Sequence, residues 1–200
     1  MTPLLAWITQ SGIVQGVIIG ATLAFLSAVL LLNAVARRIA TTIDGWSTIR
    51  RIGRPGNGVL VRAASAKALP AVNVLEEAAY WTARTDRSGR RLSGRRTYVL
   101  HVPPGGLPPN DAFWSLTVTD VGGYASRGTS GPSSVDDRSG LVPNADGSID
   151  IRLHHEAPPA PDPNWLATPG GAFTLMLRAY LPGAAILEGS YRVPPVVEVS

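Results

Sequence analysis

The sequence predicts a mainly β domain, an antiparallel sandwich or barrel, that follows one N-terminal membrane-spanning helix. The first 36 residues contain no charged side chain, and a bilayer core of about 30 Å requires only about 20 apolar residues. From Val59 onward, short runs of alternating apolar and polar residues are separated by Pro and Gly. Such strands, with no clear helix among them, are typical of antiparallel sandwiches and barrels.

Residues 1–36 are interpreted as a retained anchor, which makes the chain a single-pass protein of the cell membrane. The alternative is a cleaved signal peptide, because Ala34-Val35-Ala36 fits a small-x-small cleavage site. The apolar run is longer than the roughly 7–15 residues of a signal core, and no basic segment precedes it, which favours the anchor. Glycines spaced by four residues would let a membrane-protein partner approach, although small residues are common in all membrane helices; these are Gly12, Gly16 and Gly20.

The formal net charge of +4 lies beside this anchor. Residues 37–54 contain five arginines and one acid, whereas residues 55–200 contain thirteen basic and thirteen acidic residues. Anionic head groups attract such a segment by about 1 kcal/mol per basic residue, so the predicted partner is an anionic bilayer surface and not nucleic acid. The residues expected to contact the membrane are Trp7, Arg37, Arg38, Trp46, Arg50, Arg51 and Arg54.

A basic amphipathic helix is predicted over residues 37–53. Its apolar residues recur every three or four positions and therefore share one face; they are Ile39, Ile43, Trp46, Ile49 and Ile52. This helix would lie either in the head-group plane or with its apolar face against the soluble domain. Residues 54–58, which are rich in Gly and Pro, form a linker to a β-sandwich domain over residues 59–200.

The strands of this domain are predicted from alternation with a period of two. Residues 97–102 are expected to pair with residues 79–82 across a turn at residues 86–90, while residues 71–77 can begin a helix. Residues 122–140 are interpreted as an irregular connection. Further strands are predicted at residues 113–119, 148–153, 173–180 and 196–199.

Five sequence blocks are specific in their order and spacing: Phe113-Trp114-Ser115-Leu116-Thr117, Asn144-Ala145-Asp146-Gly147-Ser148, Asn164-Trp165-Leu166, Phe173–Tyr180 and Pro194-Pro195-Val196. Together they resemble domain-of-unknown-function family 1214 over roughly residues 76–199. The resemblance implies an antiparallel β-sandwich of jelly-roll type. In longer relatives such a domain follows a second domain, family 1254, whose place is taken here by the anchor. The chain departs from the pattern at Thr119, where an aromatic residue is usual, and at Ala167, where proline is usual.

His154-His155-Glu156 is the one sequence cluster with metal-ligand chemistry, and Asp150 lies close to it. Imidazoles and a carboxylate suit zinc with an open coordination position, which would make a metal-dependent or acid/base hydrolase with catalytic His154, Glu156 and Asp150. However, neighbouring residues of a strand point to opposite faces, so the two histidines chelate together only if the strand has ended. A polar strand end is the simpler interpretation, and no metal and no cofactor are predicted.

The predicted turn over residues 84–96 is strongly basic, since Asp86 is its only acid. Guanidinium groups at this tip could bind phosphate or carboxylate groups, touch lipid head groups or remain solvated. Trp165 is a further ligand-binding candidate, because aromatic rings stack on sugars, although a core position is the simpler interpretation. The six arginines are Arg84, Arg87, Arg90, Arg91, Arg95 and Arg96.

Two classes of function therefore remain, and whether the protein is an enzyme stays open. The preferred one is a membrane-anchored, non-enzymatic binding or accessory module of unknown ligand, and the alternative is the hydrolase described above. The absence of cysteine excludes disulfides and thiolate chemistry. The arginines after the span place the domain in the cytoplasm by the positive-inside rule, whereas the longer relatives of the family are generally exported; the charge argument is favoured.

Overall fold

The computed structural model describes residues 11–68, 73–124, 126 and 131–199. The helices in this part of the chain are α1 (Gly12–Ile39), α2 (Val59–Ala68) and α3 (Ala184–Glu188). The strands are β1 (Thr41–Ile43), β2 (Trp46–Thr48), β3 (Ala78–Ala83), β4 (Thr97–Val102), β5 (Asn110–Thr119), β6 (Ser134–Asp136), β7 (Ile149–His154), β8 (Trp165–Ala167), β9 (Thr174–Pro182) and β10 (Val196–Val199).

Helix α1 is 28 residues long, which corresponds to about 42 Å at 1.5 Å per residue. Ser11 caps its first turn, since its side-chain oxygen accepts a hydrogen bond from the Val14 N–H. The mean hydropathy over 18 consecutive residues of the helix reaches 2.3, and none of these 18 residues is buried. Among the described residues it is the one helix long and apolar enough to cross a bilayer, a test that a signal sequence would also pass. Arg37 and Arg38 lie in its last turn, where cations interact favourably with the negative end of the helix dipole.

Residues 41–48 form a β-hairpin and not the amphipathic helix predicted over residues 37–53. Strands β1 and β2 pair antiparallel with Ile43 opposite Trp46. Asp44 and Gly45 make the turn with φ of 50° and 84°, the left-handed pair that a two-residue hairpin loop requires and that Asp-Gly favours. The alternative prediction for this segment was that its apolar side chains pack against the domain, and in this respect it is correct. Trp46, Ile49 and Ile52 are only 2%, 8% and 3% exposed.

Two separate sheets enclose one hydrophobic core. The larger has the strand order β1-β2-β3-β9-β5-β6 and the smaller β10-β4-β7-β8. Among the described strands, all pairings are antiparallel except β7 with β8, which run parallel. Side chains of both sheets meet in the core, for example Leu116 and Leu177 from the larger with Leu100 and Ile151 from the smaller. The prediction of a mainly β, two-layered domain is confirmed; we call it the two-sheet domain.

Strands β3 and β4 do not form the predicted hairpin, because they belong to different sheets. β3 pairs with β2 and β9, whereas β4 pairs with β10 and β7. The turn at residues 86–90 is local: the Asp86 N–H donates to the Arg90 carbonyl at 2.8 Å. Beyond it the Gly94 N–H donates to the Gly171 carbonyl at 2.9 Å, which directs the chain toward the second sheet. The segment 84–96 is therefore a crossover between sheets.

The domain boundary also differs from the prediction, because the larger sheet begins at Thr41 and not after residue 58. Residues 59–68 are helical rather than extended, since four of these ten residues are alanine, the strongest helix former. β6 lies within the region interpreted as an irregular connection, and the short helix α3 had no recognised signal. Residues 73–77 contain a turn and no helix, and residues 71 and 72 lie outside the described residues.

The strongest strand predictions are confirmed. In β5, Trp114, Leu116 and Val118 are buried and the intervening side chains are not. β9 is the central strand of the larger sheet, between β3 and β5, and this position also buries its Thr174 and Met176. β10 closes the smaller sheet beside β4.

Candidate functional site

A pocket of about 130 Å³ opens at the edge of the larger sheet, beside the end of α1. The hairpin β1–β2 forms one wall, β3 forms the floor, and α3 with the chain that follows it forms the opposite wall. We call it the ring pocket. Its apolar lining consists of Ile43, Trp46, Leu75, Ala79, Trp81, Ile186, Tyr191 and Val193.

Three aromatic side chains give the ring pocket a fixed shape. Trp81 and Tyr191 meet edge to face, with ring centroids 5.7 Å apart and an interplanar angle of 67°. The Trp46 Nε1–H donates to the Pro194 carbonyl at 2.8 Å, and the Tyr191 hydroxyl donates to the Gly106 carbonyl at 3.1 Å. Since the polar atoms of Trp46 and Tyr191 are held by carbonyls, these two rings present their apolar faces to the pocket. Burial raises the pKa of Tyr191 well above its ordinary value, so its phenol stays neutral.

Two arginines lie at the rim, and both are held by main-chain carbonyls. Arg50 donates through Nη1 to Ile186 at 2.7 Å and through Nη2 to Leu187 at 2.5 Å, which satisfies carbonyls at the end of α3. Arg192 donates through Nη1 to Gly189 at 2.6 Å. No carboxylate and no histidine line the pocket among the described residues. The site can therefore hold an apolar group but presents no acid or base to it.

The ring pocket was not predicted from the sequence. Trp46 was expected to contact the membrane, whereas it is 2% exposed and lies in the core. Neither Trp81 nor Tyr191 belonged to any motif. Their contacts join positions far apart in the chain, such as Trp46 with Pro194, and no local pattern reports such a contact.

The histidine cluster is not assembled as a metal centre. His154 Nδ1 contacts the backbone carbonyl of Glu156 at 2.8 Å, while His155 Nδ1 contacts the backbone carbonyl of Thr168 at 2.7 Å. β7 ends at His154, and the two imidazole rings are held by different backbone carbonyls. Within the described ranges no three His, Cys, Asp or Glu side chains come together in a way that could hold a metal ion.

Asp150 pairs with His101 and not with His154. The register of β4 and β7 sets His101 opposite Asp150, and His101 Nδ1 lies 2.7 Å from Asp150 Oδ1. This hydrogen bond, with a further one of 3.1 Å from Asn144 Nδ2, lowers the pKa of Asp150 despite partial desolvation. In the described part of the chain no hydroxyl group donates to His101, so this pair lacks the nucleophile of a catalytic triad.

The six arginines of residues 84–96 divide into two groups. Arg90 and Arg96 both form ion pairs with Glu198 of β10, at 2.8 Å and 3.4 Å. They attach the crossover to the smaller sheet. The other four are exposed and form no ion pair among the described residues; they are Arg84, Arg87, Arg91 and Arg95.

Asp86 explains why this crossover keeps its shape. Its side chain is buried, and Oδ1 accepts hydrogen bonds from the Ser88 hydroxyl at 2.6 Å, the Ser88 N–H at 2.8 Å and the Arg90 N–H at 3.0 Å. Burial alone raises the pKa of Asp86, but these bonds and the nearby Arg90 outweigh it and hold the pKa below its ordinary value. The carboxylate is thus a structural anion and is not available to a ligand.

The remaining candidates are placed as follows. Trp165 is buried and its Nε1–H donates to the His154 carbonyl at 3.1 Å, so it is a core residue and not a sugar platform. Arg54 pairs with Glu76 at 2.6 Å, and Arg50 lines the ring pocket. Arg37, Arg38 and Arg51 are exposed, and Trp7 lies outside the described residues.

These features define a class of protein: a two-sheet β domain with a ring-sized apolar pocket, preceded by an apolar N-terminal helix. The chain belongs to the family described as Protein of unknown function (DUF1214), which matches residues 77–184. The family resemblance recognised in the sequence is therefore confirmed. The matched region contains Trp81 but neither the hairpin at residues 41–48 nor Tyr191, so the ring pocket is built partly outside it.

Solved structures that are similar to this chain include two uncharacterised bacterial proteins. The VPA0106 protein from Vibrio parahaemolyticus is 22% identical with a TM-score of 0.66, over 84% of this chain and 42% of that one. A putative uncharacterized protein from Burkholderia cenocepacia is 12% identical with a TM-score of 0.43, over 95% of this chain and 43% of that one. The chain thus spans less than half the length of either protein. No curated protein matches it.

Proposed function

We propose that this protein is a membrane-anchored, non-enzymatic binding module whose ring pocket holds an apolar group the size of one aromatic ring or a short alkyl segment. The observation that carries this proposal is the pocket lining, which has three aromatic side chains and, among the described residues, no carboxylate and no histidine. The polar atoms of two of these side chains, Trp46 and Tyr191, are bound by carbonyls. Sites for small ligands are typically apolar and aromatic with a few polar groups at the rim. Arg50, Arg192 and the hydroxyls of Thr41 and Thr48 occupy that rim.

The volume of the pocket supports a ligand group of this size. At about 130 Å³ it is close to the roughly 150 Å³ apolar cavity that stays dry and binds benzene. An occupant that removes apolar wall from water gains about 25 cal/mol per Å². The spare guanidinium N–H groups at the rim would favour a carbonyl or an anionic group on the exposed end of the ligand.

The position of the pocket supports capture at the bilayer surface. α1 ends at Ile39 and the pocket lining begins at Thr41, so the mouth lies within a few residues of the anchor. We propose that α1 is a retained anchor and that the two-sheet domain, of jelly-roll type, works beside the membrane. A partner helix at Gly12, Gly16 and Gly20 belongs to the same proposal, since no other described part of the chain outside the local helix backbone lies within 4 Å of a methyl group built there.

Binding of fluorobenzene to the full chain in detergent micelles, followed by ¹⁹F NMR, tests the pocket. Ile43→Glu should weaken binding about tenfold, because a carboxylate facing an apolar ligand costs about 1–3 kcal/mol of desolvation. Ile43 is 40% exposed at the pocket wall, so the substitution should leave the domain folded. Val197→Glu is the matched control, since Val197 is 37% exposed on the edge strand β10 and does not line the pocket.

Equal loss of binding in both variants, or no saturable binding to the unmodified chain, would contradict the proposal. Uptake of one zinc ion per chain that is lost in His154→Ala would instead support the hydrolase alternative.

We also propose that the domain faces the cytoplasm, because basic residues flank α1 on its C-terminal side and the positive-inside rule retains that side. In cells stripped of their outer layers but with sealed membranes, added protease should leave the two-sheet domain intact. The matched control is the same digestion after the membrane is permeabilised. Cleavage of the domain while the membrane is still sealed would reverse the assignment.

A further inference from the structure

A second cavity, of about 650 Å³, lies on the other face of the hairpin β1–β2. Successive side chains of a strand point to opposite faces. Accordingly Thr41, Ile43, Trp46 and Thr48 line the ring pocket, whereas Thr42 and Ser47 line this second cavity. Its other walls come from the last turns of α1, from α2 and from the start of the crossover after β3. We call it the basic groove.

Three cations line the basic groove: Arg37 of α1, Lys67 of α2 and Arg84 after β3. No carboxylate lines it in the described part of the chain. Lys67 Nζ donates to the neutral oxygen of the Asn33 side chain at 2.7 Å, and neither Arg37 nor Arg84 forms an ion pair with a described residue. The positive charge of the groove is therefore not neutralised by any ion pair within the described part of the chain.

The nearest element with a buried carboxylate does not compensate this charge. Asp86 lies two residues beyond Arg84, but it does not line the groove, and the cation it pairs with is Arg90, whose Nε lies 3.6 Å from Asp86 Oδ2. Hydroxyl groups, in contrast, are abundant in the groove: Thr42 and Ser47 are hydrogen-bonded to each other at 2.7 Å, and Thr82 and Thr85 stand across from them. Guanidinium, ammonium and hydroxyl donors around one cavity form a phosphate-binding environment.

The groove lies at the depth of lipid head groups. α1 contributes Asn33, Ala36 and Arg37 to its wall, which is where the uncharged run of the sequence ends. A helix of about 42 Å exceeds a hydrocarbon core of about 30 Å by roughly two turns, so its basic end reaches the head-group layer. A phospholipid bound here could keep its acyl chains along α1, whose apolar side chains are exposed.

We propose that the basic groove is a binding site for the phosphate of an anionic phospholipid, held by Arg37, Lys67 and Arg84 with the hydroxyls of the hairpin. Its apolar chains remain in the bilayer beside α1. This site is independent of the ring pocket, although the two cavities share the hairpin as a common wall. A lipid bound there would hold the two-sheet domain in one orientation on the membrane.

The test uses the full chain, stripped of lipid in detergent and then supplied with phosphatidylglycerol or phosphatidylcholine, with bound lipid counted by native mass spectrometry. We expect one tightly held phosphatidylglycerol and at least tenfold weaker phosphatidylcholine. The variant Lys67→Gln with Arg84→Gln should retain at least tenfold less phosphatidylglycerol, because it removes two of the three cations that hold the phosphate. The control Arg91→Gln with Arg95→Gln changes the same charge outside the groove and should differ from the unmodified chain by less than about twofold.

Equal losses in the two variants would show attraction by net charge alone and would overturn the proposal. Inorganic phosphate, added in excess, should not displace the lipid, because the acyl chains contribute to binding. Binding of inorganic phosphate that depends on Lys67 and Arg84, without retention of phosphatidylglycerol, would also overturn it. Fluorobenzene binding should be unchanged in both variants, which separates failure of this site from failure of the ring pocket.

Discussion

Replacing Trp46 with alanine should lower the free energy of unfolding of the two-sheet domain by about 3–5 kcal/mol, the usual cost of truncating a large buried aromatic side chain. Trp46 is 2% exposed, faces Ala83 across the β2–β3 pairing and lies in the core cluster. Its removal also leaves the Pro194 carbonyl without its donor, which adds the penalty of an unsatisfied polar group. The loss corresponds to a fall of about 6–20 °C in melting temperature for a domain of this size.

Thermal melting of the strand signal in the full chain in detergent measures this effect, because the apolar helix does not melt with the domain. The matched control is Ile43→Ala in the same hairpin, where a residue with 40% exposure should cost less than about 1 kcal/mol. A Trp46→Ala change as small as the control would mean that the hairpin is only loosely attached. The same contact implies that a fragment beginning at Gly58 lacks part of the core, so the folding unit begins near residue 40.

Replacing Gly94 with alanine should be comparably severe, at about 2–5 kcal/mol, since overpacking costs about 1–3 kcal/mol and leaving the buried Gly94 N–H without its acceptor costs about 1–2 kcal/mol more. A Cβ built at Gly94 would collide with the backbone carbonyl oxygen of Pro169 and lie 3.0 Å from Thr168 Oγ1. The segment after β8 cannot withdraw easily, because Thr168 is fully buried and its N–H donates to the His154 carbonyl at 3.1 Å. Movement would also break the Gly94–Gly171 hydrogen bond.

Gly171→Ala is the control for this prediction. Gly171 accepts the bond from Gly94 but has open space around a built Cβ and no positive φ. Its substitution should change stability by less than about 1 kcal/mol, and the smaller entropy of the unfolded chain can even stabilise the domain. Similar melting temperatures for the two variants would show that the crossover at residues 84–96 can relax away from Pro169.

The sequence was sufficient where the signal was local. An uncharged run of 36 residues predicts an apolar helix because hydrophobicity is additive along consecutive residues of the chain. The alternation in β5 identifies Trp114, Leu116 and Val118 as core because a strand with one buried face needs that period. Family membership followed from short blocks in a fixed order, and that recognition is confirmed over residues 77–184.

At residues 41–48 two local sequence patterns predicted different structures, a helix and a hairpin, and the less prominent pattern, the turn, was correct. Ile43, Trp46 and Ile49 fit a helical spacing, but Asp44-Gly45 fits a two-residue turn, and pairing of β2 with β3 decides between them. Likewise, residues 84–96 were predicted to form the tip of a hairpin. They form a crossover between the two sheets, in which Arg90 and Arg96 form ion pairs with Glu198. In both cases the deciding energy comes from a contact with a distant strand.

The sequence by itself determined an apolar N-terminal helix, a basic segment after it, a mainly β domain and the family. Only the tertiary structure decided which side chains stand together: Trp46 with Trp81 and Tyr191 in the ring pocket, Asp150 with His101 instead of His154, and Arg84 with Arg37 and Lys67 in the basic groove. The physical reason is that composition and periodicity are properties of neighbours along the chain. A binding site is instead a property of strand order and register, which are set by the packing of both sheets on one core.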